Sequence, residues 1–327
     1  MATPINGINS SPNSLETKVV KLKLLVTGAS GLLGHKVAQL ALEKGHEVYS
    51  LYNEHPTTFG TPIKLDLTNQ SEISKVITKL KPDAVIHTAA YTDVDGCKTN
   101  QDLAWKINAE ATKHIAIASA SINSHLTYVS TDYVFDGEKG FYTEEDKTNP
   151  ISYYGYTKLK GEEFIKEHAK KWCIARLSVL YGWLDYKQNF ATWLINSLNQ
   201  KKKVKVLKDQ YVSPTLNTNL AQMLLEITER KILGILHTAG GTRVSRHEYA
   251  LKLAEVFNLN KDLIKPAKMG EMPWKAKRPR DSSLNVNKAT ALLNKKPLTL
   301  NQALEVMKKE KNPIEYTKTK RQVSINP

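Results

Sequence analysis

Short apolar runs alternate with amphipathic helical stretches along the first 180 residues of the chain. The runs are four to six residues long, as is typical of strands that are buried on both faces of a sheet. They predict six strands, at residues 22–26, 47–52, 63–67, 84–87, 126–129 and 173–178. Helical periodicity predicts helices after residue 34, at 71–80, at 102–120 and after Pro150. Strands that alternate with helices in this way indicate an α/β fold with a Rossmann-type, doubly wound parallel sheet.

After Tyr181 the alternation becomes less regular. Helices are predicted at 190–198 and 217–228, a late strand at 234–238, and loops at 209–215 and 277–284. Ser245 and Glu248 have the spacing of a capping box, which predicts a helix from there to residue 257. Two short helical segments end near residue 309. We therefore expect one domain over 19–180, to which 209–242 return, and a smaller, discontinuous C-terminal domain from 181–208 and 243–308.

Composition narrows the class of protein. The chain has 327 residues and a net charge of +15, but the basic residues are spread over several clusters, so we expect solvated surface and no nucleic-acid partner. Two cysteines imply no disulfide framework. The polar N-terminus lacks the apolar core of a secretory signal, and no run approaches the ~20 apolar residues of a membrane span. We expect a cytoplasmic protein without a membrane partner, with disordered tails at 1–18 and, basic in character, at 309–327.

Three glycines follow the first predicted strand, with the spacing Gly28-x-x-Gly31-x-x-Gly34. A glycine turn between a strand and a helix allows a pyrophosphate to approach the backbone at the positive end of the helix. This turn therefore predicts a dinucleotide cofactor. After the second strand, Tyr52 and Asn53 stand where an acid often binds the ribose. The choice between NADH and NADPH is left open.

The candidate chemistry lies between Ser130 and Lys158. Thr131 follows the fifth predicted strand, and Tyr154 and Lys158 are four residues apart on a predicted helix, so they share one face. An ammonium beside a phenol lowers the phenol pKa and creates a proton donor for chemistry at a carbonyl oxygen. Because Gly28, Ala89 and Thr131 all follow predicted strands, we expect them at the same edge of the sheet.

These motifs resemble an extended short-chain dehydrogenase/reductase. The Ser130–Gly137 run Ser-Thr-Asp-Tyr-Val-Phe-Asp-Gly, the Tyr154-x-x-x-Lys158 pair and the late Arg278-Pro279 loop are similar to the dTDP-4-dehydrorhamnose reductase family. The resemblance implies that the first domain binds NAD(P) and that the discontinuous domain binds the substrate. It implies catalytic roles for Thr131, Tyr154 and Lys158. The implied cofactor-binding residues, besides Tyr154 and Lys158, are Gly28, Ser30, Gly31, Leu32, Leu33, Gly34, Asp66, Leu67, Thr88, Ala89 and Ala90. The implied substrate-binding residues are Thr131, Asp132, Val179 and Arg278.

By this resemblance we expect NADPH- or NADH-dependent reduction of the C4 keto group of a dTDP-4-dehydro-6-deoxy-sugar, within dTDP-rhamnose biosynthesis. Tyr154 would donate the proton, Lys158 would lower its pKa, and Thr131 would orient the carbonyl. The expected partner is a nucleotide-sugar substrate, and the oligomeric state is open, a homodimer included. Two alternatives remain: a regulatory subunit like the methionine adenosyltransferase beta subunit, and another nucleotide-sugar reductase or epimerase on this scaffold.

Several residues have competing interpretations. Val179 stands where bacterial reductases of this type often carry tryptophan, which leaves the identity of the sugar open. Arg278 could bind a substrate phosphate or belong to a solvated basic loop. Asn108 could hydrogen-bond the active-site backbone or lie on a helix surface. No metal site is expected, and His87, inside a predicted strand, is interpreted as a hydrogen-bonded core residue.

Overall fold

The computed structural model describes residues 20–310 of the chain. Its strands are β1 (Lys23–Thr27), β2 (Glu47–Tyr52), β3 (Thr61–Lys64), β4 (Ala84–His87), β5 (His125–Thr131), β6 (Trp172–Leu177), β7 (Leu180–Tyr181), β8 (Val204–Leu207), β9 (Tyr211–Val212), β10 (Thr215–Leu216), β11 (Gly234–His237), β12 (Val244–Ser245) and β13 (Ile264–Ala267). Its helices are α1 (Leu32–Glu43), α2 (Gln70–Leu80), α3 (Val94–Thr99), α4 (Gln101–Trp105), α5 (Ala111–Ser121), α6 (Tyr153–His168), α7 (Phe190–Asn199), α8 (Asn217–Glu229), α9 (Arg246–Val256), α10 (Asn287–Leu292) and α11 (Leu300–Lys309).

Seven strands form one parallel sheet, in the order β3-β2-β1-β4-β5-β6-β11. Alternate residues of β1 enter different cores, because successive side chains of a strand point to opposite faces. Leu24 and Val26 pack with α1 and α8, whereas Leu25 packs with α2 and α5. Both faces of the sheet are thus covered by helices. The predicted α/β, doubly wound Rossmann-type fold is confirmed.

The later segments divide between this sheet and a second core. The segment after residue 208 returns to the sheet, since α8 packs against α1 and β11 pairs with β6. A separate apolar cluster is built from α7, β8, α9, β13 and α11. The capping box of α9 is confirmed: Ser245 accepts from the Glu248 N–H, and the Glu248 carboxylate accepts from the Ser245 N–H.

Some element boundaries differ from the sequence prediction. Strand β3 ends at Lys64, three residues before the predicted end, because the Asp66 carboxylate accepts a hydrogen bond from the Thr68 N–H at 2.8 Å and turns the chain. Strand β5 is longer than predicted and includes Thr131 as its last residue. The predicted helix 102–120 is divided by a π-helical turn at Lys106–Glu110.

The remaining differences concern short elements. Helix α3 was not predicted, since its six residues carry no apolar period and its start depends on the Asp93 cap. The predicted loop 209–215 contains β9 and the first residue of β10. The predicted tail 1–18 and residues 311–327 of the other tail lie outside the described residues, but Lys309, assigned to that tail, ends α11. Within residues 20–310, no helix is both long and apolar enough to cross a bilayer.

Candidate active site

The carboxyl ends of β1, β4 and β5 open onto a cleft of about 560 Å³, the edge at which open α/β sheets bind ligands. Every site residue named from the sequence lines this cleft, with the exception of Asp66 and Arg278. The glycine turn, the segment after His87 and the end of β5 are far apart in the chain, and the parallel sheet brings them together. The cleft also receives residues from the second half of the chain, between Leu177 and Arg246.

The glycine turn is compact because its side chains are absent. Gly28 has a φ of +65°, and a Cβ there would lie 2.8 Å from the Ala89 backbone. A Cβ on Gly34 would collide with the Gly28 carbonyl oxygen. Gly31 precedes α1 and offers no side-chain cap, so the first N–H groups of this twelve-residue helix are left for a ligand. This main-chain cradle fits the pyrophosphate of a dinucleotide.

The loop after β4 is held from below by buried polar side chains. Asn108 is 1% exposed; its amide accepts from the Tyr91 N–H at 2.8 Å and donates to the Tyr91 carbonyl at 3.1 Å. Of its two interpretations, the one in which it binds backbone beside the site is confirmed. His87 contacts the hydroxyls of Thr27 and Thr112 at 2.6 and 3.1 Å, and burial lowers its pKa to about 3. It is therefore the hydrogen-bonded core residue that was predicted.

Tyr154 and Thr131 meet at the base of the cleft. Ser152 caps α6 by accepting from the Gly155 N–H at 3.1 Å, which places Tyr154 in the first turn of the helix. Burial raises the pKa of the Tyr154 phenol, while the Thr131 hydroxyl, which lines the same cleft, acts in the opposite direction. The net direction is opposite to the lowering predicted from the sequence. In this structure Tyr154 is therefore a protonated phenol at neutral pH.

Lys158 lies one turn further along α6 and is 2% exposed. Its ammonium donates to the Val129 carbonyl at 2.8 Å and lies 4.1 Å from the centre of the Tyr128 ring. Burial lowers the pKa of Lys158 to about 7, although the Glu162 carboxylate raises it. The physical reason for the difference from the sequence prediction is that burial governs the titration of both Tyr154 and Lys158.

A buried lysine with a lowered pKa makes the free energy of unfolding depend on pH. The unfolded chain binds this proton up to about pH 10.5 and the folded chain only to about pH 7, so stability rises with pH between these values. We expect the stability difference between wild type and Lys158→Met to shift by about 2 kcal/mol in favour of wild type from pH 7 to pH 9. Urea unfolding of both proteins measures it. Lys160→Met, which removes a partly exposed ammonium of α6, retains Lys158, so its stability difference from wild type should not change with pH. Parallel curves for wild type and Lys158→Met would contradict the expectation.

Asp132 follows Thr131 and is buried at 2% exposure. Burial raises its pKa, and hydrogen bonds from the hydroxyls of Ser282, Ser178 and Thr131, at 2.5, 2.8 and 3.1 Å, oppose that rise. Two of these hydroxyls, those of Ser178 and Ser282, come from parts of the chain that are distant from Asp132. Asp132 therefore joins the late loop to the end of β5 and stabilises the floor of the cleft.

Val179 lines the cleft with a φ of +27°, in the left-handed region that β-branched residues rarely adopt. Its backbone is held from the neighbouring loop: the Thr215 N–H donates to the Val179 carbonyl at 3.0 Å, and the Thr215 hydroxyl donates to the Ser178 carbonyl at 2.5 Å. A strained residue that its surroundings hold in place at a cleft wall indicates a functional position.

Asp66 and Arg278 are the two predicted site residues that the structure does not bring to the cleft. The exposed Asp66 carboxylate is engaged in its turn, and the neighbouring Leu67 lines the cleft instead. Both terminal nitrogens of Arg278 donate to the Asp95 carboxylate, at 2.6 and 3.1 Å, and its guanidinium lies 4.6 Å from the Trp274 ring. The Arg278 guanidinium in turn lowers the pKa of the Asp95 carboxyl to about 2. Arg278 thus fastens the late loop to α3.

Arg246 is a cleft residue that the sequence analysis missed. It is the first residue of α9 and lines the cleft near Phe190. In the sequence it lies between the two capping-box residues, and a side chain's direction at that position depends on how α9 packs. Among residues 20–310, no group of three or more His, Cys, Asp or Glu side chains is placed to hold a metal ion.

The comparisons with known proteins agree with this geometry. The family described as RmlD substrate binding domain matches residues 22–312. A crystal structure of a hypothetical dTDP-4-dehydrorhamnose reductase from Sulfolobus tokodaii is 41% identical, with a TM-score of 0.78, covering 85% of this chain and 97% of that one. The Bacillus anthracis dTDP-4-dehydrorhamnose reductase, solved in complex with NADP, is 31% identical, with a TM-score of 0.80, covering 89% of this chain and all of that one.

A relative with a different role is also similar. The methionine adenosyltransferase 2 subunit beta of Bos taurus is 28% identical over 285 residues, which are 85% of this chain and 84% of that protein. The match to the RmlD domain nevertheless spans both cores of the structure, and the reductases are the more similar of these relatives. The chain therefore belongs to the dTDP-4-dehydrorhamnose reductase family of extended short-chain dehydrogenases/reductases.

Proposed function

We propose that this protein catalyses the NAD(P)H-dependent reduction of the C4 keto group of a dTDP-4-dehydro-6-deoxy-sugar, with dTDP-4-dehydrorhamnose as the expected substrate. The observation that carries the proposal is the position of Thr131, Tyr154 and Lys158 in the same cleft as the glycine turn. A reduced nicotinamide dinucleotide bound there supplies the hydride. Membership of the reductase family supports a sugar nucleotide as the substrate.

The chain's own groups would supply the proton and the orientation. The Thr131 hydroxyl orients the substrate carbonyl, and the Tyr154 phenol donates its proton to the carbonyl oxygen as the carbonyl carbon gains the hydride. The products are a secondary alcohol and the oxidised dinucleotide, and Tyr154 regains its proton from solvent. Burial supports this direction of reaction, because it keeps Tyr154 protonated at neutral pH. Lys158 places a positive charge beside the site when it is protonated.

The cofactor would be held mainly by backbone. The glycine turn and the first turn of α1 receive the pyrophosphate, and residues 88–90 line the path from there to Tyr154. At the end of β2, Tyr52 and Asn53 line the cleft, and neither is an acid that would repel a ribose phosphate. We therefore propose both NADPH and NADH as reductants to be compared.

A substrate panel tests the proposed function. The protein is mixed with NADPH or NADH and with dTDP-4-dehydrorhamnose or UDP-linked sugars, and the nicotinamide absorbance is followed. We expect absorbance to fall with the dTDP-4-keto sugar and not with the UDP-sugars. An epimerase would change the sugar without consuming the cofactor. Tight cofactor binding without turnover of any sugar nucleotide would reject the reductase proposal.

That last outcome would favour the regulatory-subunit alternative, for which the similarity to the methionine adenosyltransferase beta subunit is the supporting observation. A regulatory protein on this scaffold would need the fold and the cofactor cleft but not the phenol. It would form a stable complex with a methionine adenosyltransferase catalytic subunit and keep its effect on that subunit after Tyr154→Phe. Size-exclusion chromatography with the catalytic subunit distinguishes this alternative.

A further inference from the structure

The charged groups that line the cleft are mostly basic. Among the described residues they are Lys158, Lys187, Arg246 and the carboxylate of Asp132. Asp132 already accepts three hydroxyl hydrogen bonds, and the Lys158 ammonium donates to a backbone carbonyl. Lys187 follows Tyr186, whose hydroxyl donates to the Ser30 carbonyl of the glycine turn. That contact places Lys187 on the cofactor side of the cleft.

Arg246 lies on the other side, near the end of β5. Burial raises the pKa of both Asp132 and Tyr133, and the charge of Arg246, which lines the same cleft, opposes both rises. It is not a hydrogen-bond partner of Asp132, since three hydroxyls fill that role. The Arg246 charge is thus available to a ligand in the cleft, beside Phe190.

The Arg246 side chain is oriented in advance by buried neighbours. Its Nε donates to the Gln210 side-chain oxygen at 3.0 Å, and the Arg246 N–H donates to the Gln210 carbonyl at 3.0 Å. Gln210 is 2% exposed and donates in turn to the Pro279 carbonyl at 3.2 Å. The guanidinium carbon lies 5.5 Å from the centre of the Phe190 ring. A held Nε fixes the plane of the guanidinium and loses little entropy when a ligand binds.

The two terminal nitrogens remain as donors. Within residues 20–310 neither of them has a protein acceptor, because the only side-chain hydrogen bond of Arg246 is made by Nε. Two parallel N–H donors on a planar cation match the geometry of a phosphate or diphosphate. Arg278, which the sequence suggested for this role, is occupied by Asp95.

We infer that Arg246 is the residue that binds the diphosphate of the nucleoside-diphosphate-sugar substrate. The inference rests on the proposed function for the class of substrate, and it assigns the phosphate-binding side of the cleft to the start of α9. Arg246 anchors the substrate away from the reacting carbon, so its contribution is to affinity and position rather than to proton transfer.

Calorimetric titration of dTDP into the protein saturated with NADP⁺ tests this. We expect Arg246→Met to weaken dTDP binding about ten- to a hundredfold, as for a lost charge-assisted bidentate contact, with NADP⁺ affinity unchanged. Arg246→Lys should bind dTDP with an affinity between those of wild type and Arg246→Met, since lysine keeps the positive charge but lacks the two parallel N–H donors. Arg280→Met is the matched control, because Arg280 is exposed and does not line the cleft. It should bind dTDP as wild type does.

In turnover, Arg246→Met should raise the KM for the sugar nucleotide by a similar factor, with a smaller change in kcat. Wild-type affinity for dTDP in folded Arg246→Met, an equal loss of NADP⁺ affinity, or no dTDP binding to the wild-type protein would each overturn the inference. Failure of the proposed function is a separate result. If the wild-type protein reduces no sugar nucleotide but Arg246→Met loses dTDP affinity, the inferred diphosphate site stands and the proposed function fails. If the wild-type protein reduces the sugar nucleotide and Arg246→Met has an unchanged KM, the proposed function stands and the inferred diphosphate site fails.

Discussion

Replacing Tyr154 by phenylalanine is expected to lower kcat by about 10²–10⁴-fold, the range for loss of a general acid, with little change in the affinity for NADP(H). The substitution removes one hydroxyl and keeps the ring, which packs edge-on against Tyr133 with centroids 5.6 Å apart. The glycine turn, which would hold the dinucleotide, is not touched. Steady-state kinetics with both cofactors and a fluorescence titration of NADPH provide the two measurements.

The neighbouring phenol supplies a matched control. Tyr153 is also in the first turn of α6 but does not line the cleft; it packs with Tyr156, with centroids 5.8 Å apart. Tyr153→Phe should therefore keep kcat within about twofold of wild type. Equal activity of Tyr154→Phe and Tyr153→Phe would show that the cleft phenol is not the proton donor. A parallel loss of NADPH affinity in Tyr154→Phe would assign Tyr154 to cofactor binding instead.

The second large effect is on stability, at a buried ion pair beneath the site. Glu162 is fully buried and accepts from Arg176 Nε at 2.9 Å, from Arg176 Nη2 at 2.7 Å and from the Ser130 hydroxyl at 2.6 Å. Arg176 is 1% exposed. Glu162→Ala leaves the Arg176 guanidinium buried without a counter-charge, so we expect the free energy of unfolding to fall by about 3–5 kcal/mol. Urea unfolding with an unchanged m-value is the measurement.

Glu163 gives the control for this change, since it is the next residue of α6 and its ion pair with Lys160 is exposed. Glu163→Ala should alter the free energy of unfolding by less than about 1 kcal/mol. The double variant Glu162→Leu, Arg176→Met should be more stable than Glu162→Ala, because it removes the unpaired charge as well. If Glu162→Ala and Glu163→Ala lower the free energy of unfolding equally, the buried ion pair does not stabilise the fold as argued.

The sheet and helix α6 were predictable because their signals are local. A strand, a turn and the start of a helix are predicted within about fifteen residues, from a short apolar run followed by Gly28-x-x-Gly31-x-x-Gly34. The spacing of Tyr154 and Lys158 places them on one helix face. The parallel order of the strands then follows from the alternation of elements. The predicted strand ends therefore placed Gly28, Ala89 and Thr131 at one edge of the sheet, where all three line the cleft.

The missed features depend on contacts between distant residues. Arg278 meets Asp95 across 183 positions in the chain, and no spacing rule reveals that an arginine in a basic loop already has a partner. The direction of the pKa shifts was missed for a related reason. The i, i+4 pattern describes the proximity of Tyr154 and Lys158 but not their burial, which depends on how α6 packs against β5 and which raises one pKa and lowers the other.

The proposed reaction transfers a hydride from the nicotinamide to the sugar-nucleotide carbonyl in this cleft. NADPH carrying deuterium at the nicotinamide C4, in each of its two stereochemical forms, is incubated with the protein and dTDP-4-dehydrorhamnose, and the product is analysed by mass spectrometry and NMR. We expect one deuterium at the sugar C4 from one of the two forms, and almost none with Tyr154→Phe. A wild-type protein that binds both NADPH and the sugar nucleotide yet yields no labelled alcohol would contradict it.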